Sequence, residues 1–174
     1  MRSSFLLAGL GLAAISAPAF AVTYLSVEQA QAAMFPGATF TNAATELTSA
    51  QAAAISARSG VPVEGRSVHA WRASDGGWFI VDSVMGKHDF ITYALALDAR
   101  GDVKGLEILT YRESYGYQIR NAAWRRQFVG AHPGSALRLG HEIANISGAT
   151  LSSRHVTNGV RRLLATYALV LRSA

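Results

Sequence analysis

Residues 68–111 read VHAWRASDGGWFIVDSVMGKHDFITYALALDARGDVKGLEILTY, and this stretch decides the fold. The runs 68–71, 78–84, 90–97 and 103–111 are rich in β-branched and aromatic residues, which suit a pleated, half-buried surface. Asp75-Gly76-Gly77 separates the first two runs. A loop from Asp98 to Asp102 that carries Gly101 separates the last two, as hairpins require. Four strands in succession with short links predict a mainly antiparallel sheet, because a parallel pair would need a long crossover.

Helices flank this block. Ser26 with Gln29 is a capping-box signature ahead of Ala30, Ala33, Met34 and Phe35, and Pro36-Gly37 ends that first helix. Thr48 with Gln51 repeats the signature, and Gly60 and Pro62 stop the second. Residues 38–50 between them are expected to be a surface loop. After the sheet, Asn121 caps a short helix through Trp124, Gln127 and Phe128, which His132-Pro133-Gly134 breaks. Leu137, Leu139 and Ile143 suggest a short extended piece. Val156, Val160, Leu163, Leu164, Tyr167, Ala168 and Leu171 then keep one helical stripe, so a long C-terminal helix is expected, capped by Ser152 or Ser153. The fold class is therefore α+β: one domain, a mainly antiparallel sheet with helices packed against it, and a long C-terminal helix.

Composition removes several chemistries. The 174 residues are 50% hydrophobic and 16% charged, too apolar for a disordered chain. The absence of cysteine excludes disulfide scaffolds, cysteine zinc sites, iron–sulfur clusters, haem held through C-x-x-C-H and thiol nucleophiles. Of the 16 basic residues only Lys87 and Lys104 are lysine. The arginines are scattered, with only Arg125-Arg126 and Arg161-Arg162 adjacent, so no nucleic-acid partner is expected. Arg161-Arg162 read as the solvated face of the last helix.

Residues 1–21 read as a cleaved secretory signal peptide, leaving 22–174 as the working domain. Arg2 starts it, Phe5 to Ile15 is apolar, and Ala19-Phe20-Ala21 is a small-x-small site. That apolar run is well short of the ~20 residues that span a membrane, so an uncleaved anchor is the lesser expectation. The chain is expected to be exported, in all expectation to the periplasm, and soluble.

Residues 143–160, Ile143 to Val160, carry the chemical content. Ser147-Gly148-Ala149-Thr150 is a glycine-bearing loop of small and hydroxylated residues that runs into a helix, where free N–H groups and the dipole favour an anion. Arg154 and His155 near that positive end suit an anion there. On these residues alone an ordinary helix cap after a glycine turn is the favoured explanation of the segment.

With Leu151, Ser152 and Ser153, this loop resembles the S-G-A-T-x-[ST] motif of the covalent FMN-binding domain family, known from the C subunit of sodium-pumping NADH:quinone oxidoreductase and the G subunit of the Rnf complex. Glu113-Ser114-Tyr115-Gly116-Tyr117 resembles the family's E-T-x-G segment, which lies against the flavin ring. Trp124 to Gly130 is similar to its W…Q-F-x-G helix, and Gly86-Lys87-His88 entering Ile91-Thr92-Tyr93-Ala94 to its core hairpin. The resemblance covers about residues 66–172. It implies FMN joined by a phosphoester to Thr150, with Ser147, Gly148, Ala149, Leu151, Ser152 and Ser153 around the phosphate and Glu113, Ser114, Tyr115, Gly116 and Tyr117 along the ring. It further implies maturation by a magnesium-dependent flavin transferase using FAD, and a membrane-bound or extracytoplasmic redox partner. One position departs from the family. The aspartate usual six residues before the acceptor threonine is Ala144, with Glu142 as the nearest carboxylate to replace it.

The expected function is an exported flavoprotein electron carrier rather than a self-sufficient enzyme, since no nicotinamide-binding G-x-G-x-x-G is present. The alternative is a cofactor-free exported binding or accessory domain whose Ser-Gly-Ala-Thr loop only caps a helix. His69, His88, His132, His141 and His155 make no i, i+4 pair and no H-E-x-x-H, so no metal site is expected even at His141-Glu142. No G-x-S-x-G elbow supports a serine hydrolase. Trp71, Trp78 and Phe79 are expected in the sheet core.

Overall fold

A computed structural model describes residues 22–113 and 116–173; the expected leader, Ser114 and Tyr115 lie outside the described residues. The chain runs β1 (Val22–Thr23), α1 (Val27–Met34), β2 (Phe40–Asn42), β3 (Thr45–Glu46), α2 (Ser49–Ser59), β4 (Ser67–Ala73), β5 (Trp78–Met85), β6 (Phe90–Leu97), β7 (Val103–Tyr111), the single turn α3 (Ala122–Arg125) between two 3₁₀ turns, and α4 (Thr150–Leu169). The strands lie in the order β1-β7-β6-β5-β4-β2, with β3 also on β4, and every pair is antiparallel. This is the expected α+β architecture.

Period-two alternation sends each strand's side chains to two cores. Ile80, Val84, Ile91, Tyr93, Leu95 and Ile108 face α2 and α4, meeting Ile55, Val156, Val160, Leu164 and Tyr167. On the other face Phe79, Ala94, Ala96 and Leu109 meet Ala30 and Phe35 of the α1 region. The alanines of β6 on that side let α1 lie close. Trp78 and Phe79 are buried, and Trp71 is half-buried with its ring edge-on to Phe79 at 5.8 Å.

Both capping boxes form, Ser26 with Gln29 and Thr48 with Gln51. Two expectations need correction. Residues 38–50 are not a plain loop, because 40–42 and 45–46 pair with β4. Strands of two or three residues carry too little pattern to be read, and the neighbouring edge creates them. Arg161 and Arg162 are not a solvated face either. Arg161 donates to the Ser59 carbonyl at 2.6 Å, tying α4 to α2, and Arg162 donates to Asp82 Oδ2 at 2.6 Å, tying α4 to β5. Adjacent residues on a helix point about 100° apart, so both reach only because α4 sits between a helix and a sheet.

Candidate functional site

The site is built where α4 begins. Ala149 N–H donates to the Ile146 carbonyl at 2.9 Å, closing a turn over Ser147 and Gly148, and Gly148 takes φ +81°, where a side chain would be strained. Thr150 is the first helical residue; Ala149 precedes it and no side chain caps the helix. The expected caps are thereby corrected. Ser152 and Ser153 lie inside the first turn and are buried at 4% and 0% exposure. Ser153 Oγ donates to the Ala149 carbonyl at 2.9 Å, and Ser152 Oγ meets the Tyr111 hydroxyl at 3.3 Å. A serine bonded to the carbonyl four residues back can sit within a helix instead of capping it. Ser147, Gly148 and Leu151 are exposed, Ala149 is buried and Thr150 is half-buried.

The Thr150 hydroxyl has one protein partner that the sequence reading missed. Asn145 Nδ2 donates to Thr150 Oγ1 at 3.2 Å. No pattern in the sequence singles out Asn145; only the turn between them brings it round.

The chain entering this loop is held by the short helix before it. Asn121 Oδ1 accepts from Ala123 N–H at 2.8 Å and caps α3 as expected. Trp124 and Phe128 are buried with rings edge-on at 5.1 Å. Trp124 Nε1 donates to the Ala144 carbonyl at 2.7 Å, while Gln127 Oε1 accepts from Ala144 N–H at 2.8 Å. Tryptophan and glutamine three positions apart on a helical turn thus grip both backbone groups of one residue. Glu142 does not reach Thr150's partners. Its carboxylate accepts from the Arg138 guanidinium at 2.6 Å and from Arg138 N–H at 2.9 Å, which hold its pKa at about 2.

The described residues of the second segment, Glu113, Gly116 and Tyr117, arrive beside the first. Gly116 has φ +91°, and a Cβ there would stand 2.5 Å from the Tyr111 hydroxyl and 3.1 Å from the Ala149 Cβ. Only glycine lets this turn lie on the loop before Thr150. Tyr117 is 61% exposed. The Glu113 carboxylate turns the other way and accepts from the N–H groups of His88 at 2.6 Å and Asp89 at 3.1 Å, in the β5–β6 turn. Burial raises its pKa, but those N–H groups, that of Lys87 and the charge of His88 outweigh burial and hold the carboxyl below its ordinary range. A Cβ on Gly86 would lie 2.5 Å from the same carboxylate. His155 Nδ1 donates to the Met85 carbonyl and joins α4 to the start of that turn. The hairpin turn, Glu113 and Gly116, and the head of α4 are therefore one neighbourhood, although they are far apart in sequence.

The remaining candidates do not converge. Among the described residues no group of three or more histidine, aspartate or glutamate side chains could hold a metal ion, and no helix is long and apolar enough to cross a membrane.

An α+β domain whose glycine turn feeds an uncapped 20-residue helix is suited to an anionic ligand. The first N–H groups of α4 have no intrahelical acceptor, and the dipole adds positive potential. That donor set, with an accessible hydroxyl at its centre, fits a phosphate monoester. Residues 86–165 match the FMN-binding domain family, and this match supports a flavin-binding domain over that stretch, with FMN as the cofactor it points to. The match begins at the Gly86 turn and runs through α3 and the Thr150 loop into α4, so it contains all three converging segments. No curated protein matches the chain in sequence.

Proposed function

We propose that the protein is an exported electron carrier with FMN esterified through its phosphate to Thr150. The observation that carries this reading is Thr150 itself: the first residue of an uncapped helix, half-exposed, within the family match. Bound FMN supplies reversible one- and two-electron transfer. The chain supplies position. Asn145 orients the Thr150 hydroxyl through its lone pair and leaves the hydroxyl proton free to depart when the ester forms. The open N–H groups of α4 receive the phosphate charge, and the Gly148 turn keeps side chains away from it. Residues 113–117 lie along the ring, with Tyr117 toward solvent. Arg112 and Arg154, both exposed, add positive charge that favours the reduced, anionic ring.

Attachment is the work of a separate flavin transferase using FAD and magnesium: the Thr150 Oγ1–phosphorus bond forms as the FAD pyrophosphate bond breaks, with AMP leaving and the hydroxyl proton released. The electrons pass to or from a membrane-bound or extracytoplasmic protein, and the periplasm is the proposed location, with residues 1–21 removed as a leader. Intact-mass measurement of protein made with and without a flavin transferase tests the reading. One FMN is expected on the peptide containing Thr150, only when the transferase is present, and on a chain beginning at Val22 after export. Flavin that survives denaturing electrophoresis in Thr150→Ala overturns it.

A further inference from the structure

Strands β4 and β5 pair from Arg72–Trp78 to His69–Val81, and there their ladder stops. Beyond that point β4 turns to β3, with Val68 opposite Thr45 and Ser67 opposite Glu46. Strand β5 continues as Asp82 to Met85, paired only with β6. The Ala73 N–H to Gly77 C=O bond that closes the β4–β5 hairpin sets the alternation of the ladder. Odd-numbered residues of β5 aim their backbone groups toward β4, so those of Ser83 and Met85 point into the gap. One is occupied, because the Met85 carbonyl accepts from His155.

The gap opens into a cavity of about 650 Å³, which is in the range of ligand sites. Its apolar walls include Val63, Val84 and Leu163, and its mouth is flanked by Met85 and Phe90, 46% and 56% exposed. The charged groups lining it are Glu64, Asp82 and Arg162, a net negative lining in a chain of net charge +5; His69 and His155 are the other titratable groups there. Asp82 pairs closely with Arg162; Glu64 is exposed, makes no ion pair within 4 Å among the described residues, and shares the field of the same Arg162, which leaves one negative charge in excess.

An unpaired strand edge with apolar walls and surplus negative charge is chemistry that recognises polypeptide backbone together with a basic side chain. We propose that this gap receives an extended segment of a partner polypeptide. The segment adds as a short strand to the outer edge of β5, sets a lysine or arginine toward Glu64, and packs apolar residues on Val63, Met85 and Phe90. The groove opens beside the Gly86 turn that Glu113 grips, so the docked partner lies next to the cofactor neighbourhood. The proposal does not depend on flavin attachment and can be tested on protein with or without it.

The probes are three blocked hexapeptides: alternating valine and lysine, alternating valine and glutamate, and the valine–lysine peptide methylated on every backbone nitrogen. Titration calorimetry and amide NMR are read on the purified protein. The valine–lysine peptide is expected to bind and to shift the Ser83 and Met85 amides, with both other peptides weaker by about tenfold or more. Glu64→Lys, at an exposed position, is expected to reverse the order of the lysine and glutamate peptides. Undiminished binding of the methylated peptide overturns strand addition. No binding of the valine–lysine peptide, or shifts confined to other parts of the molecule, overturns the groove as its site.

Discussion

Asn145 and Thr150 are joined side chain to side chain across the turn that opens α4, the amide donating to the hydroxyl at 3.2 Å. If Thr150 is the attachment point, this contact sets the direction of the nucleophile's lone pair. Thr150→Ala should therefore abolish covalent flavin, and Thr150→Ser should retain it. Asn145→Ala removes an exposed side chain and should slow attachment about 10-fold or more without loss of fold, the range expected when a reacting group is misoriented. A mass time course with transferase and FAD measures all three, with thermal melting as the control.

Gly116 is the point where the second segment touches the loop before Thr150. An alanine there must hold φ near +91° and push against the Tyr111 hydroxyl and Ala149. Gly116→Ala should cost about 1–3 kcal/mol of stability in denaturant unfolding. It should also weaken retention of free FMN by the Thr150→Ala protein, measured by fluorescence quenching. Unchanged stability would mean that the turn adapts, and that the two segments are less tightly coupled than their contact implies.

Most of the sheet was legible in the sequence, because runs such as 90–97 combine apolar density with β-branched residues and end at glycine turns. The capping boxes were legible for the same local reason. What escaped was whatever depends on a distant neighbour. Strands β2 and β3 exist because β4 offers them an edge. Ser152 and Ser153 have the composition of a cap, yet Tyr111 and the Ala149 carbonyl draw them inside the helix. Thr150 could be singled out from its motif, whereas Asn145 could not, since its role exists only after the turn folds. Arg162 read as a surface charge because nothing local announces Asp82, 80 residues away.

Tyr93, Asp82 and Arg162 form one unit between β5, β6 and α4. The Tyr93 hydroxyl donates to Asp82 Oδ2 at 2.8 Å, the atom that also accepts from Arg162. Burial, then the Asp82 charge, pushes the Tyr93 pKa well above 10, against the opposing effect of Arg162. A folded-state pKa above the unfolded value gives stability that is whole below about pH 10 and declines as pH rises beyond it. Tyr93→Phe should lose about 1 kcal/mol at neutral pH and show a shallower alkaline decline. Asp82→Asn leaves Arg162, 17% exposed, without its nearest countercharge and with only the more distant Glu64, and should cost about 1–3 kcal/mol. Equal alkaline slopes for the wild-type and Tyr93→Phe proteins, from urea unfolding at stepped pH, would remove Tyr93 as the source.

Ala144 stands where the resembling family keeps an aspartate, and the nearest carboxylate to replace it, Glu142, is bound to Arg138. Its grip on Arg138 holds the Glu142 pKa at about 2, down from 4.5, and Ala144 itself is fixed at both backbone groups by Trp124 and Gln127. The folded-state pKa is depressed, so the contribution of Glu142 is present above about 4.5 and is lost as pH falls toward 2. Carboxyl NMR should give that midpoint and return it toward 4.5 in Arg138→Gln. Because this carboxylate is committed to Arg138, Glu142→Gln should leave the rate of flavin attachment unchanged. Ala144→Asp should raise it, since the side chain at 144 is exposed and a carboxylate there costs the fold little. A slower rate in Glu142→Gln, with no gain in Ala144→Asp, would reverse the assignment and make Glu142 the acid that the transferase reads.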